Sequence, residues 1–250
     1  MVSKLKADYH THTFYSHGLS SVEENAAAAE AAGLEILGIA DHGPGHIGFG
    51  IDMERLPEIG ADIEIARAKH PGLRILLNVE ANIINPSGNL DVSRYEQERF
   101  DRIIAGYHFG VFGETPVKAA FTHIGNSWYG LTSGSSARRK NANTELVIKA
   151  VENNKIFMLS HPGSKAAFDI REIALCCAAY GTLMEINNHH DGLSPEGMRI
   201  AAQCGVGLII SSDAHKAENV GSSDEAIRRA KLADIPSDMI LNLKEECRWN

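Results

Sequence analysis

Histidine residues with metal-binding potential first occur near the amino terminus of this sequence. His10 and His12 follow a short apolar run, residues 5–7, that predicts a strand. Side chains at i and i+2 of a strand face the same side, so the two imidazoles would converge at the end of that strand. Two neutral imidazoles are a common part of a metal site, although surface histidines produce the same short motif. The pair predicts a metal only if the rest of the chain supplies matching ligands.

Further candidate ligands follow later apolar runs in the same way. Asp213 and His215 repeat the i, i+2 spacing of the opening pair. Each candidate alone has an ordinary structural explanation, such as a histidine in a turn or an aspartate at a helix cap. Those explanations do not account for so many of them falling at predicted strand ends. The candidates are, in chain order, His10, His12, His17, His42, Glu80, His108, His161, Asp213 and His215.

The elements that must position these residues alternate between strand and helix. A Ser21-x-x-Glu24 capping box begins the first helix, and Ser194-Pro195 begins a later one. Such alternation predicts a parallel sheet. A barrel presents every strand end to one face, whereas a doubly wound sheet has one switch point, so ligands after six strands favour a barrel. We expect one domain over residues 1–250. The predicted strands lie at residues 5–7, 36–40, 75–79, 102–106, 156–160, 182–186 and 207–211.

The composition limits the class of protein and its partners. With 250 residues and 44% hydrophobic content, the chain can bury a full core. A net charge of −8 argues against a general nucleic-acid or acidic-membrane surface. We see no signal-peptide pattern or membrane-spanning run and expect a cytoplasmic protein. The four cysteines lack zinc-ligand spacing, so nitrogen and carboxylate donors are the candidate ligands.

Seven short motifs together resemble the PHP (polymerase and histidinol phosphatase) family, most closely its YcdX-like phosphatase branch. They extend from residue 8 to residue 215 and therefore cover most of the chain. Each is weak alone, but together they are specific. The motifs are His10-Thr11-His12-Thr13, Ala40-Asp41-His42-Gly43, Val79-Glu80-Ala81-Asn82, Gly106-Tyr107-His108, Ser160-His161-Pro162-Gly163, Glu185-Ile186-Asn187-Asn188 and Ser212-Asp213-Ala214-His215.

The resemblance implies an α/β fold, a distorted (β/α)7 barrel, with three divalent transition-metal ions at the carboxyl ends of its strands. By that resemblance Glu80 bridges two of the ions. The donor types suit zinc, which we favour, or manganese or iron. The implied sets are His10, His12, Glu80 and Asp213 for the first ion, Glu80, His108 and His161 for the second, and His17, His42 and His215 for the third.

The implied activity is hydrolysis of a small phosphate monoester by a hydroxide that bridges two metals. Glu80, Asp213 and His161 are the expected catalytic residues. One alternative is an amidohydrolase or lactonase, although such barrels use a bridging lysine where this chain has Glu80. Another is a non-catalytic metal-binding module. Nuclease activity is disfavoured by the acidic composition, and a homo-oligomer is left open.

Residues that bind the substrate are harder to locate. Residues 109–142 show little periodicity and could form a lid, which would carry Arg138, Arg139 and Lys140 as a phosphate clamp. A solvated charge run at a helix start explains the same letters. Lys165, after the His161 motif, is the rival cation. Asp41 either orients a ligand or ends a strand turn. His46 and His189 are weaker candidates to face the site.

Overall fold

Seven parallel strands form one sheet in a computed structural model that describes residues 3–111 and 137–249. Each strand pairs with the next in the sequence, in the order β1 to β7. Because parallel neighbours need crossover connections, a helix lies between each strand and the next. The strands are β1 Ala7–Thr11, β2 Ile36–Ile39, β3 Arg74–Asn82, β4 Arg102–Gly106, β5 Met158–Leu159, β6 Leu183–Asn187 and β7 Leu208–Ser211.

Both predicted helix starts are present in the structure. Ser21 and Glu24 form the expected capping box, and Ser194 caps a helix whose first residue is Pro195. The helices are α1 Val22–Ala31, α2 Leu56–Lys69, α3 Arg94–Gln97, α4 Ala137–Asn153, α5 Ile170–Tyr180, α6 Pro195–Gln203 and α7 Asp224–Leu232. Short 3-10 helices occupy Met53–Arg55, Ala217–Asn219, Ser237–Met239 and Glu245–Cys247. Within the described ranges, no helix is long and apolar enough to cross a membrane.

The first and last strands meet, so the sheet is a nearly closed barrel. Thr11 forms a parallel bridge with Ala214, and the His12 amide donates to the Ala214 carbonyl at 2.8 Å. Nearer the opposite end, the buried Asn242 side chain donates to the carbonyls of Ala7 (2.7 Å) and Ile210 (2.6 Å). Its amide therefore supplies hydrogen bonds that a continuous β1–β7 ladder would have made. The predicted distorted (β/α)7 barrel is confirmed.

Alternation along the strands decides which side chains enter the barrel. Ile103 and Ala105 of β4 pack in the large outer core, whereas Ile104 packs with Met158 and Ile209 in a small inner cluster. Glu80 pairs in register with Ile104, and Glu185 with Ile209. Because residues paired in register share a face of the sheet, both carboxylates enter the barrel interior.

Two strands extend beyond their predicted ends. β1 continues to Thr11 and β3 to Asn82, so His10 and Glu80 lie within strands and not after them. The end of β3 is held by β4, through pairing of Asn82 with Gly106, and by Asp91, whose Oδ1 accepts from the Asn82 amide at 2.8 Å. A carboxylate nine residues further along the chain thus lengthens the strand. The single-domain organisation of residues 1–250 stays a prediction.

Candidate metal centre

Glu80 lies at the centre of the candidate site and is fully buried. Its Oε2 is 2.8 Å from His42 Nδ1 and 3.4 Å from His10 Nε2. Its Oε1 is 2.9 Å from His161 Nε2 and 3.2 Å from His108 Nε2. The two oxygens therefore face different histidine pairs, as a carboxylate that bridges two cations would.

The electrostatics around Glu80 favour its ionised form. Burial alone would raise the pKa of Glu80, but the facing His108, His10 and His42 lower it well below the usual range. Burial lowers the pKa of His108 to about 3 despite the neighbouring Glu80. Burial also lowers the pKa of His17 to about 4. Burial would lower the pKa of His10 and of His161, but the carboxylates of Glu80 and Glu185 raise both. An ionised carboxylate is thus surrounded by imidazoles, of which His108 and His17 favour the neutral form that binds a transition metal.

Asp213 forms a second group of candidate ligands with His10 of β1 and with His12, which follows β1. Its Oδ1 is 3.1 Å from His12 Nε2 and 3.6 Å from His10 Nε2, and those two nitrogens are 3.2 Å apart. Burial would raise the pKa of Asp213, but His10 and His12 hold it well below the usual range. Asp213 has a φ of 55°, a left-handed conformation that is uncommon outside glycine but that aspartate adopts more readily than most residues.

A third group lies beside these two and consists of histidines alone. The His17 ring is 4.8 Å from the His42 ring and 4.2 Å from the His215 ring. Donor atoms of His12, His17, His42 and His215 all lie within 4.8 Å of one another. The structure thus brings together all nine predicted ligand residues. It differs from the sets implied by the resemblance because His12 and His42 each reach two groups.

The donor set fits bound metal ions. His108 Nε2 and His161 Nε2 lie 3.2 Å apart. A hydrogen bond between two imidazole nitrogens forms only if one of them carries a proton. His42 Nδ1 and Glu80 Oε2 are buried and lie 2.8 Å apart, but within the part of the chain described neither atom has a partner with hydrogen-bond geometry. Two ligand atoms on one tetrahedral ion with bonds of about 2.0–2.1 Å lie roughly 3.3 Å apart. Cations among these atoms would satisfy the orphaned groups and explain the spacing.

Glu185 of β6 supports the site, although we did not predict it as a site residue. Its Oε1 is 2.9 Å from His10 Nδ1, and its Oε2 accepts from the His161 amide at 2.7 Å. Such a contact fixes the ring orientation and leaves His10 Nε2 facing the cluster. The motif Glu185-Ile186-Asn187 carried a detectable signal, because Glu185 and Asn187 alternate onto the same strand face.

His108 is held in a comparable way by a neighbouring amide. Its Nδ1 is 2.7 Å from Asn82 Oδ1, and Asn82 Nδ2 donates to Asp91 Oδ2 at 2.5 Å. Asp91 Oδ2 also accepts from the Gly45 amide at 2.9 Å. Burial raises the pKa of Asp91 to about 6, even though these hydrogen bonds favour its charged form. Asp91 therefore connects the loop after β2 to a candidate ligand that follows β4.

Asp41 holds the loop after β1 in place. Within the described residues it makes no hydrogen bond to the ring of a candidate ligand. It accepts from the Thr13 amide (2.7 Å), the Thr13 hydroxyl (2.6 Å) and the Ser16 hydroxyl (2.5 Å). These bonds fold the segment after β1 so that His17 returns to the cluster. Asp41 thus positions a ligand through the backbone, a role between the two alternatives expected from sequence.

Residues from several loops form the mouth of the site. The His46 ring lies 4.9 Å from the His42 ring, and the Phe49 ring lies 4.7 Å from the His17 ring. His190, which we did not predict, has its ring 5.1 Å from the His161 ring. Burial and nearby charges, including His161 and Lys165, lower the pKa of His190 to about 4. His189 is exposed and lies farther out.

The predicted substrate-binding cations occupy two different places. Lys165 lies on the loop after β5 and acts electrostatically on both His46 and His190. Arg138, Arg139 and Lys140 are in the first turn of α4, and Lys140 Nζ is 2.9 Å from Asp169 Oδ2. Most of the candidate lid, residues 112–136, lies outside the described residues. The clamp on α4 therefore stays a prediction.

Comparison with known proteins agrees with this combination of fold and site. Residues 8–189 match the model of the PHP domain. A protein of Thermoanaerobacter sp. (strain X514), named as a probable phosphatase, is 30% identical over 254 aligned residues, covering 96% of this chain and 91% of the relative. A similarly named protein of Shewanella sp. (strain ANA-3) is 29% identical and covers 94% of this chain and 86% of its own.

A solved structure supports the fold assignment. The histidinol phosphate phosphatase of Lactococcus lactis, solved with zinc, L-histidinol and phosphate, superposes with a TM-score of 0.58 at 18% sequence identity. The match covers 91% of this chain and 92% of that one. At this identity the similarity concerns the fold alone.

The barrel, its cluster of histidine and carboxylate donors and these relatives place the chain among the metal-dependent phosphoric ester hydrolases. It belongs to the PHP family.

Proposed function

We propose that this protein hydrolyses a small phosphate monoester with three divalent transition-metal ions. One observation carries the proposal: Glu80 is completely buried, and its two oxygens face separate histidine pairs, His10 with His42 and His108 with His161. An unneutralised cluster of this density would be costly to bury, and cations offset that cost. Its placement at the open end of the barrel suits a site that must admit a substrate.

The proposed ions take the ligand sets implied by the family resemblance, although in the structure His42 also groups with Glu80 and His108. His10, His12, Glu80 and Asp213 would hold the first, and Glu80, His108 and His161 the second. His17, His42 and His215 would hold the third, with His12 close enough to share it. We favour zinc as the bound ion. Manganese and iron are alternatives, because imidazole and carboxylate donors suit all three.

The catalytic roles divide between the ions and the chain. When bound, the ions would activate a water molecule and neutralise the oxygens of the phosphate group. Glu80 would keep two of them close together, with Asp213 and His161 holding one from each side. Glu185 and Asn82 would orient His10 and His108, so that these rings present Nε2 to the site. Little reorganisation would then be needed during the reaction.

Lys165 is the cation we assign to the phosphate. It lies on the loop after β5, and Gly163 of that loop contacts Gly192 of the loop that carries His190, so Lys165 borders the mouth. Lys140 is already paired with Asp169, so using it as a clamp would require breaking that ion pair. The substrate is a small phosphorylated molecule in this proposal. A cytoplasmic location remains an expectation. The acidic composition supports the further expectation that neither nucleic acid nor a membrane is a partner.

The test is phosphate release from a panel of sugar, nucleotide and amino-alcohol monoesters, using protein loaded with zinc, manganese or iron. We expect metal-dependent turnover of at least one monoester and little turnover of a matched diester. Metal-free protein in chelator is the control. Hydrolysis of an amide or lactone without any phosphate release would favour the amidohydrolase alternative. Metal binding without hydrolysis would favour a non-catalytic module.

A further inference from the structure

The loop that follows β6 is anchored to its surroundings at both of its asparagines. Asn187 Oδ1 accepts from the amides of His189 and His190, each at 2.8 Å. Asn188 Oδ1 accepts from the amides of Glu225 and Ala226, each at 3.0 Å, at the start of α7. The two asparagines therefore fix the loop internally and to the helix behind it.

A buried arginine of α7 also anchors the loop that follows β6. Arg229 of α7 is 5% exposed, and its Nη2 donates to the carbonyl oxygens of Asn187 and His190. Burying a guanidinium is costly unless its contacts compensate. A loop built with this many backbone anchors holds its side chains in fixed positions, as a functional site requires.

These anchors place the His190 ring between the metal cluster and the solvent. Its Nε2 is 3.7 Å from Asp213 Oδ2, and 28% of its side chain remains exposed. The His190 ring makes no hydrogen bond to any other described residue. It is therefore a preorganised polar group at the mouth whose hydrogen-bonding capacity is unused.

The position of His190 is outside the ligand set. Asp213 uses Oδ1 toward His10 and His12, whereas its Oδ2 accepts from Asn187 Nδ2 at 3.1 Å. His190 faces this second oxygen, on the side away from the proposed first ion. A ring in that place can reach a molecule bound above Asp213 and His161 without coordinating a metal.

The neighbouring loop brings a cation to the same side. Gly163 packs directly against Gly192, since a Cβ at residue 163 would lie 2.4 Å from the Gly192 carbonyl oxygen. The loops after β5 and β6 are thus in backbone contact, and they carry Lys165 and His190 respectively. An anionic group above His161 and Asp213 would meet a cation and an imidazole donor together, a combination suited to phosphate.

We propose that His190 contacts the substrate and donates a hydrogen bond to an oxygen of its phosphate group. This inference rests on the proposed phosphatase function and adds a residue that none of the family motifs quoted above contains. The other ligand of the phosphate on this side would be Lys165. His190 would act on bound substrate, without holding an ion.

The experiment compares His190→Ala, His190→Gln and His189→Ala. His189 is the matched control, because it is the adjacent residue of the same type and its amide has the same anchor. For each metal-loaded protein we would measure kcat and KM on a monoester that the wild type hydrolyses, calorimetric affinity for inorganic phosphate, and metal content. We expect His190→Ala to lower kcat/KM about 10- to 100-fold and to weaken phosphate binding, with metal content unchanged. His190→Gln, which keeps a donor, should recover part of the loss, and His189→Ala should stay within about twofold.

Three results would overturn the inference. Loss of an ion in His190→Ala would make His190 a ligand, and unchanged kinetics and phosphate affinity would leave it without a role in binding. An equal loss in His189→Ala would assign the effect to the loop as a whole. A wild type that hydrolyses no monoester would instead overturn the proposed function and this inference with it, so the two failures are distinguishable.

Discussion

Replacement of Glu80 by glutamine tests the proposed metal centre most directly. The substitution keeps the shape of the side chain but removes the negative charge that faces His10 and His42 on one side and His108 and His161 on the other. An amide presents one oxygen and one NH2 group, so it cannot offer an acceptor to both pairs. We therefore expect the two ions that share Glu80 to bind more weakly.

The size of the effect follows from Coulomb's law. A unit negative charge about 2 Å from a divalent ion contributes about 4 kcal/mol even at the dielectric constant of water. Water or a rearranged ligand recovers part of this energy in the variant. We expect binding of two ions to weaken at least about 100-fold, which corresponds to about 2.7 kcal/mol each, and phosphatase turnover to fall by orders of magnitude.

The assay combines chelator competition, elemental analysis, circular dichroism and phosphate release. Glu196→Gln is the matched control, since that glutamate lies on the exposed face of α6 with its side chain 72% exposed. It should retain native metal affinity and turnover. Both variants should keep the circular dichroism of the wild type. A full metal complement with near-native turnover in Glu80→Gln would refute the bridging role.

The remaining predictions concern the third ion, the cation that binds the phosphate, and the partly buried carboxyl of Asp91. Elemental analysis should find three ions in the wild type and about two in His17→Ala, whereas one ion at full activity would contradict a trinuclear centre. Lys165→Ala should lower kcat/KM roughly 10-fold or more, by loss of a charge-assisted hydrogen bond. If a variant of the basic residues 138–140 showed this loss and Lys165→Ala did not, the phosphate contact would be assigned to α4. Because burial holds the folded-state pKa of Asp91 at about 6, above its ordinary 3.8, its stabilising contribution is full below pH 3.8 and is lost as the pH rises through 6. Urea unfolding in chelator should therefore show wild type losing about 2–3 kcal/mol relative to Asp91→Asn between pH 4 and 7, and a constant difference would contradict the raised pKa.

Much of the fold could be predicted because periodicity and strand composition are local properties. The capping box at Ser21 and the helix start at Ser194-Pro195 agree with prediction to the residue. Barrel closure could not be found in this way. Besides the bridge between Thr11 and Ala214, it uses Asn242, whose amide donates to the Ala7 and Ile210 carbonyls from a segment with no periodicity of its own. A single asparagine in such a segment has no distinguishing local pattern.

The candidate ligands could be anticipated for a similar reason, since a barrel gathers every strand end at one face. The residues that orient each ligand could not be anticipated from the sequence. His190 follows Asn187 and Asn188 in a run that looks like an ordinary polar turn, and its position depends on Arg229, about forty residues later. The contact between the loops of Lys165 and His190 depends likewise on the closeness of two glycines.

Asn82 and Asp91 show how these long-range contacts determine the chemistry of the site. Asn82 ends β3, two residues after Glu80, and its Oδ1 faces His108 Nδ1. That ring can present Nε2 to Glu80 only if Asn82 keeps its oxygen toward it, and Asp91 enforces this by accepting from Asn82 Nδ2. The same carboxylate holds the Gly45 amide, and therefore the loop that carries His46 over His42. This partly buried aspartate thus couples the orientation of a candidate ligand to the wall of the substrate entrance, so a change at Asp91 should alter metal affinity and KM together.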